Sequence, residues 1–295
     1  MSDFRLKVFQ SVAKNLSFTK ASQELFVSQP AITKHIQGLE ATYQTRLFDR
    51  QGSKISLTES GRLLLEHCER ILEDYKRLEY EMHLLHNEYI GELKLGASTT
   101  IAQYVLPPLL GSFIGKFPQV NLSLLNGNSR EIEAALQEHR IDLGLVEGVF
   151  RLPNLKYTTF LEDELVAVVH SKSRLQLPEE ITPQDLPAIP LVLRERGSGT
   201  LDVIERSLQK HGVKLSSLHV LMYLGSTESI KLFLENSDCM GIVSIRSICK
   251  ELAAGTFRVV EIKDMPMLRD FCFVQLQGQE GGLSQAFMNY MFMSR

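Results

Sequence analysis

Four polar side chains between positions 29 and 37 have the spacing at which one face of a helix would display them together: Gln29, Thr33, Lys34 and Gln37. On such a helix Ile32, Ile36 and Leu39 would face inward. Glutamine can make two hydrogen bonds to adenine, and threonine can contact a thymine methyl group or a polar base edge. A lysine beside them can neutralise a phosphate. The pattern predicts a helix that enters the major groove of DNA.

The residues around this helix extend the same chemistry. Ser28 is predicted to cap the helix, and Pro30 falls in the first turn, where its missing N–H costs nothing. Ser28 and the unpaired amides of that turn could also bind a phosphate. Arg50 and Lys54 are predicted to contact phosphates or the minor groove. For each residue taken alone, the alternative is a solvated polar face.

A second set of segments combines hydroxyl and amide side chains with glycine: Ser98-Thr99-Thr100, Asn126-Gly127-Asn128-Ser129, Gly197-Ser198-Gly199-Thr200 and Gly225-Ser226-Thr227. Each lies between a predicted strand and a predicted helix, where open α/β sheets bind their ligands. Amides at a helix N-terminus with adjacent hydroxyls can bind an anion. The alternative is that each Ser or Thr merely caps its helix. The residues predicted to contact a ligand are Ser98, Thr99, Thr100, Asn128, Glu147, Ser198, Thr200 and Thr227, with Glu147 orienting the ligand or a neighbouring loop.

Motifs of catalysis are missing from the sequence. It contains no Gly-x-Ser-x-Gly, no His-Glu-x-x-His and no glycine-rich phosphate loop ending in Lys-Ser/Thr, so no catalytic residue, metal or cofactor is predicted. The four cysteines, at positions 68, 239, 249 and 272, lie far apart without metal-ligand spacing. They are predicted to be reduced thiols in a reducing cytosol.

Charge is distributed unevenly along the chain. Residues 1–62 carry a net charge of +4 and the remainder carries −7, which fits a basic head that meets a polyanion. The first ten residues are charged and amphipathic rather than a signal peptide. The charge-free run 95–115 contains Pro107 and Pro108, which favours a buried strand and helix over a membrane span. A cytoplasmic protein with no membrane partner is therefore expected.

The head requires a compact set of elements to position its polar face. The sequence predicts helices over 3–14, 18–25 (capped by Ser17) and 29–42, then a two-stranded wing within 47–58. Thr58 is predicted to cap a long helix that reaches about Asn87. Apolar residues recur along it at spacings that suit a dimerising or linking helix: Leu64, Ile71, Leu78, Met82 and Leu85.

From Gly91 onward strand-like and helix-like segments alternate. Such alternation predicts parallel sheets with helices on both faces, arranged as two α/β lobes. Among these elements are a helix over 100–117 and a strand over 164–170.

The motifs of the head resemble those of the LysR-type transcriptional regulators in order and spacing. They are Phe18-Thr19-Lys20-Ala21-Ser22, Val27-Ser28-Gln29-Pro30-Ala31-Ile32-Thr33, Ile36, Leu39-Glu40, Leu47-Phe48-Asp49-Arg50 and Leu57-Thr58 with Gly61. The resemblance continues through the body in Gly96-Ala97-Ser98-Thr99-Thr100, Asp142-Leu143-Gly144-Leu145-Val146-Glu147-Gly148 and Gly197-Ser198-Gly199-Thr200. It covers essentially the whole chain. Two places depart from the family's usual sequence: Tyr43-Gln44 replaces Leu-Gly, and His139 replaces a glycine.

The resemblance implies an α/β multidomain protein with a winged helix-turn-helix, a long linker helix and a two-lobed effector domain like a periplasmic binding protein. The implied boundaries are 1–58, 59–90 and 91–295, with lobe I at 91–161 and 267–295 and lobe II at 162–266. The implied partners are promoter or operator DNA, a small effector and a second copy in a homodimer. A homotetramer and contact with RNA polymerase are also implied.

The effector is expected to be a small anion, either a carboxylate or an oxyanion such as a sulfur oxyanion, with a neutral or amino-acid-like metabolite as the alternative. Two other classes of protein compete with the regulator. A solute-binding protein would account for the lobes but would need an export signal and would have no use for residues 1–58. An enzyme would need a nucleophile, metal cluster or cofactor loop.

Overall fold

The computed structural model describes residues 4–51, 54–84, 89–278 and 281–293. The chain divides into two compact units, Met1–Glu88 and Tyr89–Arg295.

Three helices form the core of the first unit: α1 (Phe4–Asn15), α2 (Phe18–Glu24) and α3 (Gln29–Tyr43). Ser17 caps α2, as predicted, because its hydroxyl accepts a hydrogen bond from the Lys20 amide at 3.2 Å. The inward positions Ile32, Ile36 and Leu39 are buried against α1 and α2, which confirms the predicted face of α3. The apolar side of α3 is thus fixed, and its polar side faces outward.

A hairpin and a long helix complete this unit. Strands β1 (Phe48–Gln51) and β2 (Lys54–Leu57) pair antiparallel, as predicted for the wing, while its tip at 52–53 lies outside the described residues. Helix α4 (Glu59–Leu84) begins after Thr58, whose hydroxyl accepts a hydrogen bond from the Gly61 amide at 2.9 Å. The cap predicted at Thr58 is therefore confirmed, and the predicted end of the helix near Asn87 lies outside the described part.

Helix α4 contributes to the core at only some positions. Cys68 and Leu72 are buried, whereas a row of large apolar side chains is exposed: Leu63, Ile71, Leu78 and Met82. Steps of eight, seven and four residues place this row, the α4 stripe, on one side of a helix. Leu64, predicted for this row, is instead partly buried against the core, and Leu85 lies outside the described residues.

The described residues of the second unit form ten strands in one sheet. They are β3 (Gly91–Ser98), β4 (Val120–Gly127), β5 (Leu143–Glu147), β6 (Leu155–His170), β7 (Glu180–Ile181), β8 (Leu191–Arg194), β9 (Val220–Leu224), β10 (Met240–Ser244), β11 (Phe257–Ile262) and β12 (Met267–Leu276). The helices are α5 (Thr99–Tyr104), α6 (Leu106–Lys116), α7 (Ser129–Gln137), α8 (Gly199–Lys210), α9 (Thr227–Glu235), α10 (Cys249–Ala253) and α11 (Gly282–Met293). Short 3₁₀ turns cover Pro183–Ala188, Leu215–Ser217 and Ile245–Ser247.

Two lobes can be recognised by their strands. Lobe I is built around β3, β4 and β5, which pair in parallel, and lobe II around β8, β9 and β10, which also pair in parallel. The predicted parallel pairing is thus present in both lobes. Strands β6, β11 and β12 add antiparallel pairs, so one continuous mixed sheet runs in the order β4-β3-β5-β12-β6-β10-β8-β9. The lobes are therefore joined by backbone hydrogen bonds.

Strands β6 and β12 form the connection between the lobes. Phe160 of β6 and Phe271 of β12 belong to the core of lobe I, whereas Leu165 and Met267 belong to that of lobe II. The strand predicted at 164–170 is only the second half of β6. Its first half has exposed and buried residues in mixed order, which hides it from a search for continuous apolar runs.

The helix predicted over 100–117 is two helices, α5 and α6, separated at Val105. Pro107 and Pro108 lie in the first turn of α6 and cannot donate the backbone hydrogen bonds that would continue α5. Among the helices described, none is long and apolar enough to cross a membrane.

Candidate functional site

The outward face of α3 carries the polar residues predicted to meet DNA. Ser28, Gln29, Pro30, Lys34 and Gln37 are exposed and Thr33 is half-buried. The Gln29 amide donates a hydrogen bond to the Thr33 hydroxyl at 3.1 Å, so these two side chains lie side by side.

The cap predicted at Ser28 is only partly correct. Ser28 occupies the N-cap position of α3, but its side chain makes no capping hydrogen bond. A backbone bond instead connects the Ile32 amide to the Ser28 carbonyl at 3.1 Å. Because the hydroxyl is not used in the cap, it is available to a ligand at this helix end. The side chains of Arg50 and Lys54 lie outside the described part, although their backbones pair in the wing.

A buried carboxylate organises the junction of the two lobes. Glu147 ends β5, accepts a hydrogen bond from the Ser98 hydroxyl, and has its backbone carbonyl bonded by the Ser129 hydroxyl at 2.7 Å. Gly199 of lobe II packs so closely that a Cβ atom there would lie 1.9 Å from the Glu147 carbonyl oxygen. Only glycine fits this approach, so the loop 197–200 is held against lobe I.

Two of the predicted ligand contacts, and the serine that precedes a third, act as helix caps. Asn128 forms a capping box with Glu131 at the start of α7. The Ser198 hydroxyl accepts a hydrogen bond from the Thr200 amide at 3.2 Å, and Ser226 caps α9 through the Ser229 amide. For these side chains the simpler interpretation, a helix cap, describes their contacts in this structure.

Three other predicted contacts are buried at the starts of helices, and two of them have hydroxyls that make no hydrogen bond to the described residues. Thr99 and Thr100 are buried at the start of α5, and neither hydroxyl has a hydrogen-bond partner among the described residues. Thr227 is also buried, at the start of α9. A buried polar group without a partner costs free energy, so such groups mark places where a bound molecule can supply the missing bond.

An unforeseen ion-pair network crosses the junction. The Arg269 guanidinium on β12 lies 2.7 Å from the carboxylate of Asp163 on β6 and 3.5 Å from that of Glu147. Arg269 also donates to the Thr200 hydroxyl at 2.9 Å, and Asp163 accepts from the Ser244 hydroxyl at 2.7 Å. Thr200 and Glu147, predicted as ligand contacts, are therefore tied into the structural network that joins the strands.

A second polar contact connects the lobes at α5 and α9. The Tyr104 hydroxyl donates to the Glu228 carboxylate, which also pairs with the Lys231 ammonium at 2.9 Å. Lys231 is buried and pairs with Glu251 at 2.7 Å. Burial opposes ionisation of Glu228, but the bonds from Tyr104 and Lys231 outweigh it and lower the pKa of that carboxyl.

Burial raises the pKa of Glu133 on α7 and of Asp202 on α8. The charge of Asp202 is a further influence that raises the pKa of Glu133, whereas the Tyr157 hydroxyl and nearby Arg151 lower it. Both carboxyls are therefore harder to ionise than in an unfolded chain.

Sequence reasoning missed Asp163 and Arg269 for a physical reason. They are partners in the register of β6 with β12, which the sequence does not specify, although they are opposite charges within apolar strands. Arg194 was also missed. It ends the buried strand Leu191–Arg194 just before the Gly-Ser-Gly-Thr loop, and a charge at that position is a detectable signal. Among the described residues no group of His, Cys, Asp and Glu side chains is placed to hold a metal ion.

Comparison with known families matches both units. Residues 86–292 match the family described as LysR substrate binding domain. Residues 4–62 match the family described as bacterial regulatory helix-turn-helix protein, lysR family.

Two relatives and one solved structure resemble most of the chain. The "Uncharacterized HTH-type transcriptional regulator YeiE" of Escherichia coli K12 is 34% identical over 258 residues, covering 88% of this chain and 85% of that protein. The probable RuBisCO transcriptional regulator of Cyanidioschyzon merolae is 32% identical over 268 residues, covering 90% and 88%. The regulatory domain of Synechocystis CcmR, in complex with 2-PG, superposes with a TM-score of 0.62 at 28% identity and covers 69% of this chain and 97% of that one. The two relatives are regulators, not enzymes.

Proposed function

The chain belongs to the LysR family of DNA-binding transcriptional regulators, and from this premise we propose that its effector domain senses a small anion held between the lobes. The observation that carries the proposal is the pair of buried hydroxyls, Thr99 and Thr100, without partners in the described structure. A bound anion would shift the equilibrium between two arrangements of the lobes and so change the spacing of the DNA-binding heads on their site. The outcome could be activation, repression or both.

The proposed DNA contacts are the outward side chains of α3 and the wing: Ser28, Gln29, Pro30, Thr33, Lys34, Gln37, Arg50 and Lys54. Their support is the exposure of the α3 face and the Ser28 hydroxyl that takes no part in the cap. Gln29 and Thr33 would contact base edges, and the cations would contact phosphates.

Two substitutions separate base contacts from phosphate contacts. Thr33→Ala should relax the preference at one base pair and cost about 1–3 kcal/mol at the preferred site. Lys54→Ala should weaken binding to all DNA sequences equally. It should also lower the slope of log binding constant against log salt concentration by about one. Electrophoretic mobility shifts over a salt series measure both. A changed sequence preference in Lys54→Ala with an unaltered salt slope would reverse the assignment.

The proposed effector contacts are Ser98, Thr99, Thr100, Asn128, Glu147, Ser198, Thr200 and Thr227. Their support is that α5, α8 and α9 begin near the junction, where Gly199 packs on Glu147 and Glu228 accepts from Tyr104. Helix N-termini favour negative charge. The similar CcmR domain binds 2-PG, 2-phosphoglycolate, which carries both a phosphate and a carboxylate.

A thermal-shift titration of the full-length protein tests the anion. 2-Phosphoglycolate, glycolate, sulfate and thiosulfate are the probes, with serine as the amino-acid-like alternative. An anion that binds in the junction should raise the melting temperature, and both Thr100→Val and Thr200→Val should reduce the effect. If both variants bound the active anion as the wild type does, the proposed anion site would be ruled out. A rise in melting temperature with serine alone would favour the alternative effector.

The proposed oligomer is a homodimer held by the α4 stripe, and a homotetramer when lobes of different dimers also pair. Large apolar side chains exposed on the sheet's edge strands support lobe pairing: Leu124 and Leu125 on β4, and Leu221, Met222 and Tyr223 on β9. A two-fold dimer would present two recognition helices to a partly palindromic DNA site.

The proposed division of the chain is 1–58 for DNA binding, 59–90 for the linker and 91–295 for the effector domain. The cores on either side of the β6–β12 crossing support lobes at 91–161 with 267–295 and at 162–266. The proposed location is the cytoplasm, where the DNA target and RNA polymerase, a further proposed partner, are found.

A further inference from the structure

Arg194 has one end of its guanidinium without a partner in the described structure. The side chain is 1% exposed, and its Nε and Nη2 atoms donate to Glu195 at 2.9 and 3.1 Å. The third nitrogen, Nη1, reaches no acceptor among the described residues. A buried cationic donor left unpaired is costly, so its position calls for an acceptor that the described part of the chain does not provide.

The alternation of side chains along β8 fixes the direction of Arg194. Leu191 and Leu193 pack in the lobe II core that includes α8, whereas Val192 packs with Ile230 of α9 on the other face. Residues two apart in a strand share a face, so Arg194 emerges beside α9. It does so at the carboxyl end of the parallel strand, where α9 also begins.

Lobe I faces this position with α5. Tyr104 bonds to Glu228 in the first turn of α9, which brings α5 and α9 together. Burial raises the pKa of Tyr104, as do the bond to Glu228 and the nearby acids, whereas the positive charge of Arg194 acts to lower it. Thr100 precedes Tyr104 by one helical turn and so shares its side of α5.

We infer that the unpaired edge of Arg194 and the Thr100 hydroxyl form the two sides of one subsite that binds an oxyanion of the effector. The ligand class is a small molecule with a carboxylate or a phosphate monoester, since either group accepts from a guanidinium edge and a hydroxyl together. In this subsite Arg194 donates to Glu195 through Nε and Nη2 and to the ligand through Nη1. The inference rests on the proposed function, to which it adds the residue that recognises the charge.

The test measures anion binding by the full-length protein, with thermal shift and calorimetry as the two readouts. The probes are 2-phosphoglycolate, glycolate as the carboxylate alone and inorganic phosphate as the phosphate alone. Arg194→Met should weaken binding of the preferred probe about tenfold to a hundredfold, the range expected for loss of a charged hydrogen bond. Arg194→Lys keeps the positive charge but loses the planar guanidinium, so it should bind the probe with intermediate affinity. It replaces Arg194→Met in the test if that variant does not fold. The matched control is Arg196→Met, at an exposed arginine two residues away, which should bind normally.

The outcomes separate the two proposals. Impaired binding in Thr100→Val with wild-type affinity in the Arg194 variants would overturn the role of Arg194 and leave the anion site in place. Wild-type affinity in all these variants, or no response of the wild type to any probe, would overturn both. Between the fragments, a response to glycolate alone identifies a carboxylate in this subsite, and a response to phosphate alone identifies a phosphate.

Discussion

Gln44 ends the recognition helix in a backbone conformation that suits glycine. Its φ is 49° and its ψ is 35°, the left-handed region, and it stands where the family usually has glycine. His139, the other departure from the family's sequence, also has a positive φ, of 52°. A residue with a Cβ atom is destabilised by about 1 kcal/mol when its backbone adopts this region.

Gln44→Gly should therefore raise the free energy of unfolding by about 0.5–1 kcal/mol, measured by urea denaturation. The matched control is Gln37→Gly, which places the same substitution inside α3 and should lower stability by about 0.5–1 kcal/mol. Equal effects of the two substitutions would show that the strain at Gln44 is relieved by contacts of its side chain.

The four thiols differ in their access to reagents. Cys249 is exposed, whereas Cys68, Cys239 and Cys272 are buried. Burial, together with the charge of Glu69, raises the pKa of Cys68 to about 12, against a smaller effect of Lys14. Because the thiolate is the reactive form, a buried thiol with a raised pKa is inert.

Ellman's reagent should consequently react fast at Cys249 in the native protein and at Cys68 only after unfolding. Cys249→Ser should remove the fast phase without changing the melting temperature by more than about 2 °C. Mass spectrometry of the labelled peptides assigns the sites, and native labelling of Cys68 would contradict its burial.

At the scale of elements, α5 and α9 join the lobes through Tyr104 and Glu228. Tyr104→Phe should lower the free energy of unfolding at pH 7 by about 1 kcal/mol. The pKa of Glu228 is lowered in the folded state, so the stability it contributes is present above the ordinary pKa of a glutamate. That contribution is lost as the pH falls through the lowered folded value.

The difference in melting temperature between wild type and Tyr104→Phe should thus be clear at pH 7 and shrink below about pH 4. The control is Tyr43→Phe at the exposed end of α3, which should match the wild type at both pH values. A difference that stays constant with pH would mean that Tyr104 acts through packing and not through the Glu228 carboxylate.

The sequence predicts the elements best where local chemistry defines them. Ser17 and Thr58 cap their helices as expected, because capping depends on residues within one turn. The contact of Arg269 with Asp163 depends on the register of strands more than a hundred residues apart, and no local pattern contains that information. Arg194 is an intermediate case. Its charge at the end of a buried strand can be seen in the sequence, but the place of that charge beside α9 follows only from the fold.

At the scale of the whole molecule, the α4 stripe is the proposed seam between two chains. Leu78 is 51% exposed at its centre. Leu78→Glu should shift the protein toward monomers in light scattering, because a charge would be buried in the seam. DNA affinity should fall at least about tenfold, since two tethered heads bind better than one.

Glu66→Gln, at an exposed position of α4 away from the stripe, is the control and should leave the mass unchanged. A Leu78→Glu variant that keeps the wild-type mass would place the seam elsewhere and favour the edge strands β4 and β9.

Strand β6 belongs to the cores of both lobes, and this has a consequence for how the effector domain comes apart. A lobe that lost its packing would release one half of a single continuous strand and expose the hydrogen bonds of the other half. The two lobes should therefore melt in one cooperative transition, and the amides of β6 and β12 should be the last to exchange with heavy water. A ligand that contacts only lobe II should therefore also slow hydrogen exchange of the amides in the core of lobe I.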